Sequence, residues 1–175
     1  MKKRLIPIFI FITYSAVLIK VMVFKDVPLI RVGQLMLNFG GTESGHAPNF
    51  IPFKTILPYL FGFKGLLIAG INLVGNVALL VPIGFLLPFV FPKMTWKKSL
   101  AVAVGSGLII EVMQTVLRVG IFDIDDVILN ALGVMIGYWV QVVLSKWVSD
   151  KKYKTIVVAI IIVVAIGVGA FYAVF

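Results

Sequence analysis

The sequence predicts an all-α integral membrane protein, a bundle of five transmembrane helices with a long outer loop between the first two. Three observations lead there. Of 175 residues, 61% are hydrophobic and 13% charged, and mean hydropathy is +1.13; soluble domains carry about 45–50% apolar and about 25% charged residues. Apolar runs of roughly 20 residues, the length that crosses about 30 Å of hydrocarbon, recur along the chain. Lys and Arg gather in alternate connections between those runs. This composition excludes an ordinary soluble enzyme, a disordered chain and a collagen-like chain. Sixteen Lys/Arg against seven Asp/Glu give a net charge of +9. The cations form neither a basic helix nor an aromatic strand platform, so no nucleic-acid partner is expected. Without cysteine there is no disulfide, thiolate metal site or Cys nucleophile.

The elements follow in order. Leu5–Phe24 is the first expected span, interrupted only by Lys20. Lys2, Lys3 and Arg4 precede it as in a signal peptide, but the run exceeds a usual signal core and no small-x-small cleavage site follows, so it reads as an uncleaved anchor. From Lys25 to Gly65 runs the long loop, with Gly40–Gly45 as a mobile tip. Asn49–Pro58 is apolar, aromatic and proline-marked, suited to lie in the membrane interface or dip into the bundle. Leu66–Phe91 is the second span, long enough to tilt or kink at Pro82 and Pro88. Ser99–Val119 is the third and carries Glu111. Ile124–Val148, opening on carboxylates, is the fourth, and the uncharged Ile156–Phe175 is the fifth. The whole chain, 1–175, reads as one domain with its core at 49–148. No internal repeat supports an inverted-repeat transporter.

Orientation follows from Lys and Arg in short connections. Lys2, Lys3, Arg4, Lys93, Lys97, Lys98, Lys146, Lys151, Lys152 and Lys154 all fall on one side of a five-span serpentine. The other side carries the long loop and the acidic turn Phe122–Asp126. The N-terminus is therefore expected in the cytoplasm and the C-terminus outside.

Polar groups at membrane depth are costly and face partners or water. Asn72 and Asn76 share one helical face. Glu111, Gln114 and Arg118 share another, and Asp126, Asn130, Gly133, Gly137 and Gln141 form a third stripe whose glycines admit a neighbouring helix. At 1.5 Å per residue, Asn72 and Asn76 lie on the order of 9–15 Å below the outer face, Glu111 roughly 12 Å and Asn130 about 9 Å. Three helices thus deliver polar faces to one outward-opening region. Structural readings stand beside this one. Asn72 and Asn76 join helices by hydrogen bonds, Glu111 serves, protonated, as a structural hydrogen-bond donor, and Arg118 pairs with Asp123, Asp125 and Asp126 to cap the fourth span. In the same vein Lys54 snorkels, and Phe50 and Phe53 anchor the interface. His46 has no neighbours at ligand spacing, and no metal site is expected.

The blocks NFIPFKTI (Asn49–Ile56), NLVGNVALLVPIG (Asn72–Gly84) and EVMQTVLRVGIFDIDDVILNALGVMIG (Glu111–Gly137) resemble the VanZ-like membrane family. The order N-x-x-P-F, N-x-x-G-N, E-x-x-Q and D-x-x-D-x-x-x-N carries the resemblance, over about half the chain. It implies a bacterial envelope protein of the plasma membrane, in a family whose founding member is linked to low-level resistance to teicoplanin and related lipoglycopeptides. Carried over by position, the candidate residues are Asn49, Pro52, Phe53 and Lys54 in the loop. Within the spans they are Asn72, Gly75, Asn76, Pro82, Gly84, Glu111, Gln114, Arg118, Asp123, Asp125, Asp126, Asn130 and Gly133.

Three functions compete. A non-enzymatic binder would hold a lipid-linked wall precursor or a lipoglycopeptide, with Lys54 and Arg118 on phosphate or carboxylate and Asn72, Asn76, Gln114 and Asn130 on neutral polar groups. Membrane lipids are its expected surroundings, and no cofactor is expected. An integral-membrane enzyme on a lipid-linked phosphate or glycan would use Glu111 and Asp126 as acid and base, or aspartates around Mg²⁺, but the cluster has no His and no familiar hydrolase motif. A proton-coupled transporter or flippase would carry protons on Glu111, yet the inner half offers little beyond Gln141 as a polar path.

Overall fold

A computed structural model describes residues 2–23, 31–32, 35–36, 47–61 and 66–147. Its helices are α1 (Lys2–Val23), α2 (Ile56–Leu60), α3 (Leu66–Val90), α4 (Trp96–Leu117) and α5 (Ile124–Trp147), with a two-residue antiparallel pair, β1 (Arg31–Val32) and β2 (Leu35–Met36). Leu73–Val90, α4 and α5 are long and apolar enough to cross a membrane; the apolar part of α1, Pro7–Val23, falls short of them in length. They coincide with the second, third and fourth expected spans. The fifth expected span, 156–175, and the tip at Gly40–Gly45 lie outside the described residues, as does His46.

Local chemistry sets the ends. Thr95 caps α4, its hydroxyl accepting from the Lys98 amide at 3.4 Å, so the helix begins three residues before the expected Ser99. It stops at Leu117, where Arg118 turns left-handed at φ 56. The Arg118 amide donates to Thr115 and the Val119 amide to Gln114, the paired closure of a Schellman end, a place that favours glycine. Helix α3 runs through Pro82 and Pro88 without interruption. Pro82 offers no amide to the carbonyl four residues before it, and beside that gap the Tyr14 hydroxyl of α1 donates to the Leu79 carbonyl at 2.8 Å.

Packing is inverted relative to a soluble domain. Exposed on α4 are Ile109, Val112 and Val116, and on α5 Leu132, Ile136 and Val143, while Asn76, Ser99, Glu111, Gln114, Asp125 and Asn130 are buried. So large a spread of exposed apolar surface marks contact with lipid. Leu18, Met22, Leu80, Ile83, Leu87, Ala103, Ile110 and Val134 fill the centre. Lipid tails are as apolar as these side chains, so burial alone does not drive the helices together. Close backbone approach does more. A Cβ at Gly133 or Gly137 would overlap the carbonyls of Val77 or Val81 on α3, and one at Gly84 would overlap the Val134 carbonyl on α5. Helices α3 and α5 meet there backbone to backbone, as the glycine stripe predicts.

Candidate functional site

The site is built around the first turn of α5. Asp123, just before Ile124, accepts the Asp125 amide at 2.9 Å and so acts as the N-cap. Its carboxylate also holds the loop: Asn49 Nδ2 donates to Oδ1 at 2.8 Å and the Thr55 hydroxyl to Oδ2 at 2.7 Å. Asn49 pairs with this turn through its backbone as well, in a parallel bridge. Its amide reaches the Phe122 carbonyl at 2.8 Å, and the Ile124 amide reaches its carbonyl at 3.0 Å. Asp125 then accepts from the amides of Phe53, Thr55 (2.6 Å) and Ile56 (3.0 Å). The Thr55 and Ile56 amides are free donors at the start of α2, which has no side-chain cap of its own; the Phe53 amide belongs to the turn before it. A carboxylate from α5 thus supplies the cap that α2 lacks.

Glu111 completes the clamp from α4, its Oε2 accepting the Asp123 amide at 2.8 Å, with the side chain 0% exposed. Asn76 of α3 donates to Asp126 Oδ1 at 2.9 Å. Loop, α3, α4 and α5 therefore meet at one end of the bundle through Asn49, Asn76, Glu111, Asp123, Asp125 and Asp126.

Not every expected member joins. Gln114 is buried but donates through Nε2 to the Met22 carbonyl at 2.8 Å, satisfying the last turn of α1 instead of meeting Glu111. Arg118 is not on the Glu111 face, because the helix has already ended; its side chain is exposed and, among the described residues, makes no ion pair with the aspartates. Lys54 is exposed. Asn72 lies on α3 with its side chain outside the described residues. Asn130 is 1% exposed and, among the described residues, neither atom of its carboxamide has a hydrogen-bond partner. Pro52 and Phe53 form the middle of a turn closed by the Lys54 amide on the Ile51 carbonyl at 3.4 Å. Pro52 suits the first central position; Phe53, at φ 67, occupies the second, where glycine is usual. Among the described residues no group of three His, Cys, Asp or Glu is placed to hold a metal.

Thr55 and Tyr14 escaped the sequence reading. Thr55 carried a signal, a capping-type residue directly before the apolar Ile56–Leu60; Tyr14 carried none.

Glu111 offers a direct check on the clamp. Glu111→Gln keeps an oxygen for the Asp123 amide, whereas Glu111→Leu orphans it at a cost of about 1–3 kcal/mol. Thermal unfolding in detergent is expected to place the Gln variant near the parent and the Leu variant well below it. Equal losses would remove the hydrogen bond from the account.

An apolar exterior around a buried polar clamp defines this as an integral membrane protein of the helix-bundle class. The chain belongs to the VanZ/LLP1 family, whose model matches residues 11–145. It is similar to Protein VanZ of Enterococcus faecium, with 26% identity over 87 residues, 50% of this chain and 54% of that protein. The match thus spans about half the length of that curated relative. No solved structure matches.

Proposed function

We propose that this protein is a bacterial plasma-membrane protein that binds an anionic, lipid-tailed molecule at the outer rim of its bundle. The molecule is a lipid-linked wall precursor or a lipoglycopeptide, and its capture influences resistance to teicoplanin. The proposal includes the five-span serpentine with a cytoplasmic N-terminus, which places the α4–α5 turn outside.

One observation carries the reading. Among the described residues, Phe53 and Arg118 are the non-glycine residues with positive φ. Both sit beside the clamp and both side chains are exposed. A left-handed L-residue costs about 1–2 kcal/mol, and such strain persists at functional sites where the surroundings enforce it. Here the side chains are retained where glycine would fit the backbone better, so their use lies outside the chain. The clamp explains the sign of the partner. Asp123 and Asp125 are filled by donors of their own chain and Asp126 accepts from Asn76, while Lys54, Arg118, Phe50, Phe53 and Phe61 are exposed. Arginine's forked donors suit phosphate or carboxylate, and the rings suit an acyl chain. Asn76 and Asn130, whose carboxamide has no partner among the described residues, would serve neutral polar groups deeper in.

The test separates use from fold. In Phe53→Gly and Arg118→Gly, relief of about 1–2 kcal/mol of strain opposes about 0.5–1 kcal/mol of added chain entropy. Both variants are expected to be at least as stable as the parent. In a Gram-positive host at matched membrane abundance, the parent is expected to raise teicoplanin tolerance and both variants to lose that effect. Vancomycin, without a lipid tail, is the control. Variants that protect as well as the parent would sink the proposal.

The enzymatic and transport readings have weaker support. To act as acid and base, or as carrier, Glu111 would have to give up the Asp123 amide and Asp126 the Asn76 amide group; to hold a metal, Asp123 and Asp125 would have to give up the amides they accept.

A further inference from the structure

The segment 49–61 has two faces that the polar clamp does not account for together. Ile56 and Tyr59 turn inward and are buried, while Phe50, Ile51, Phe53, Leu57, Leu60 and Phe61 are exposed. Phe50 stacks on Phe122, ring centroids 5.0 Å apart, so the aromatic surface continues across the α4–α5 turn. The α4 helix that leads into this turn carries exposed Leu117, Val116 and Val112 along its last turns, residues of the apolar exterior already assigned to lipid. Lys54 is the one charged residue between Asn49 and Phe61. A surface of this sign and polarity matches phosphate headgroups above acyl chains.

We infer that residues 49–61 form an interfacial anchor, lying in the plane of the leaflet at the α4–α5 end with the exposed face of α2 among the lipids. The occupant is bilayer lipid, and the inference stands independently of any ligand bound at the rim. Interfacial helices seat about 5–10 Å into the headgroup–acyl boundary. Five residues of helix would not hold such a position alone; the bonds the segment donates to Asp123 and Asp125 fix it to the bundle. In return the segment covers those carboxylates, 2% and 1% exposed at the very end of a helix, where water would otherwise compete for their donors. Anchor and clamp are two sides of one element.

The absence of cysteine permits a clean test. Phe50→Cys, Leu57→Cys and Leu60→Cys, each carrying a nitroxide in the full chain in lipid vesicles, are read by collision with oxygen, which concentrates in lipid, and with a water-soluble nickel chelate. Val112→Cys provides the lipid reference and Lys97→Cys, in an exposed position at the opposite end, the aqueous one. The expected result is oxygen-dominated relaxation at all three positions, at a depth shallower than position 112. Nickel-dominated relaxation, as at position 97, would place the face in water and overturn the inference. Protection from both reagents would also overturn it, by showing the face covered by protein.

Discussion

Asp125→Asn is expected to be far more damaging than Asp123→Asn, although the two carboxylates lie two residues apart in one turn. Both oxygens of Asp125 accept backbone amides, Oδ1 from Phe53 and Oδ2 from Thr55 and Ile56. A backbone donor cannot reverse its role. Whichever way an asparagine is turned, its NH₂ opposes at least one of those amides. Leaving a buried amide unpaired costs about 1–3 kcal/mol, and the remaining bonds lose their charge assistance, for a total of about 2–5 kcal/mol. Asp123 differs in one partner. Its Oδ2 meets the Thr55 hydroxyl, which can turn and accept, while Oδ1 continues to receive Asn49 and the Asp125 amide. Asparagine caps helices about as well as aspartate, so the loss is about 1 kcal/mol or less, chiefly the charge at the helix start. Thermal midpoints in detergent are expected to rank parent, then Asp123→Asn, then Asp125→Asn with a wide gap. Equal stability of the two variants would mean that Asp125 does not hold the start of α2.

The long helices were legible because their signal is local. Apolar runs gave 66–91, 99–119 and 124–148, and the helices span Leu66–Val90, Trp96–Leu117 and Ile124–Trp147. The glycine stripe was legible for a similar reason, since Gly133 and Gly137 lie on one face at helical spacing and need no knowledge of the partner. The clamp was not. Asn49 and Asp123 are 74 residues apart, and nothing near either one announces the other. Gln114 shows how face arguments fail: it shares a turn with Glu111, but a carbonyl at the end of α1 captures it. Arg118 fails differently. Helical spacing from Glu111 assumed that the helix ran on to Val119, whereas it closes at Leu117 and Arg118 is left-handed, out of the helical register. Fine geometry at helix ends depends on hydrogen bonds that hydropathy does not encode.

Gly137→Ala is expected to separate α3 from α5, while the same change at Gly75 is expected to be harmless or stabilising. The added carbon at Gly137 would meet the Val81 carbonyl and the Phe85 amide nitrogen, backbone atoms within a helix that cannot yield like a side chain. The helices must move apart, and overpacking of this kind costs about 1–3 kcal/mol. Lipid tails fill the widened groove without a hydrophobic penalty to restore the contact. At Gly75 no heavy atom of the described residues lies within 4 Å of the added carbon, leaving only the helix preference of alanine over glycine, a gain of about 0.8–1 kcal/mol. Gly107→Ala falls between, because its carbon would meet the Val127 side chain at 3.2 Å, a contact that a small rotation relieves. The order of thermal midpoints, Gly75→Ala highest, then Gly107→Ala, then Gly137→Ala, therefore tests the helix register itself. The consequence reaches the site. The Asn76–Asp126 bond spans the same α3–α5 seam nearer the clamp, so a wedge at Gly137 tilts the helices that hold it. If Gly137→Ala were as well tolerated as Gly75→Ala, α3 and α5 would not meet in this register, and Asn76 would lose its reason to face Asp126.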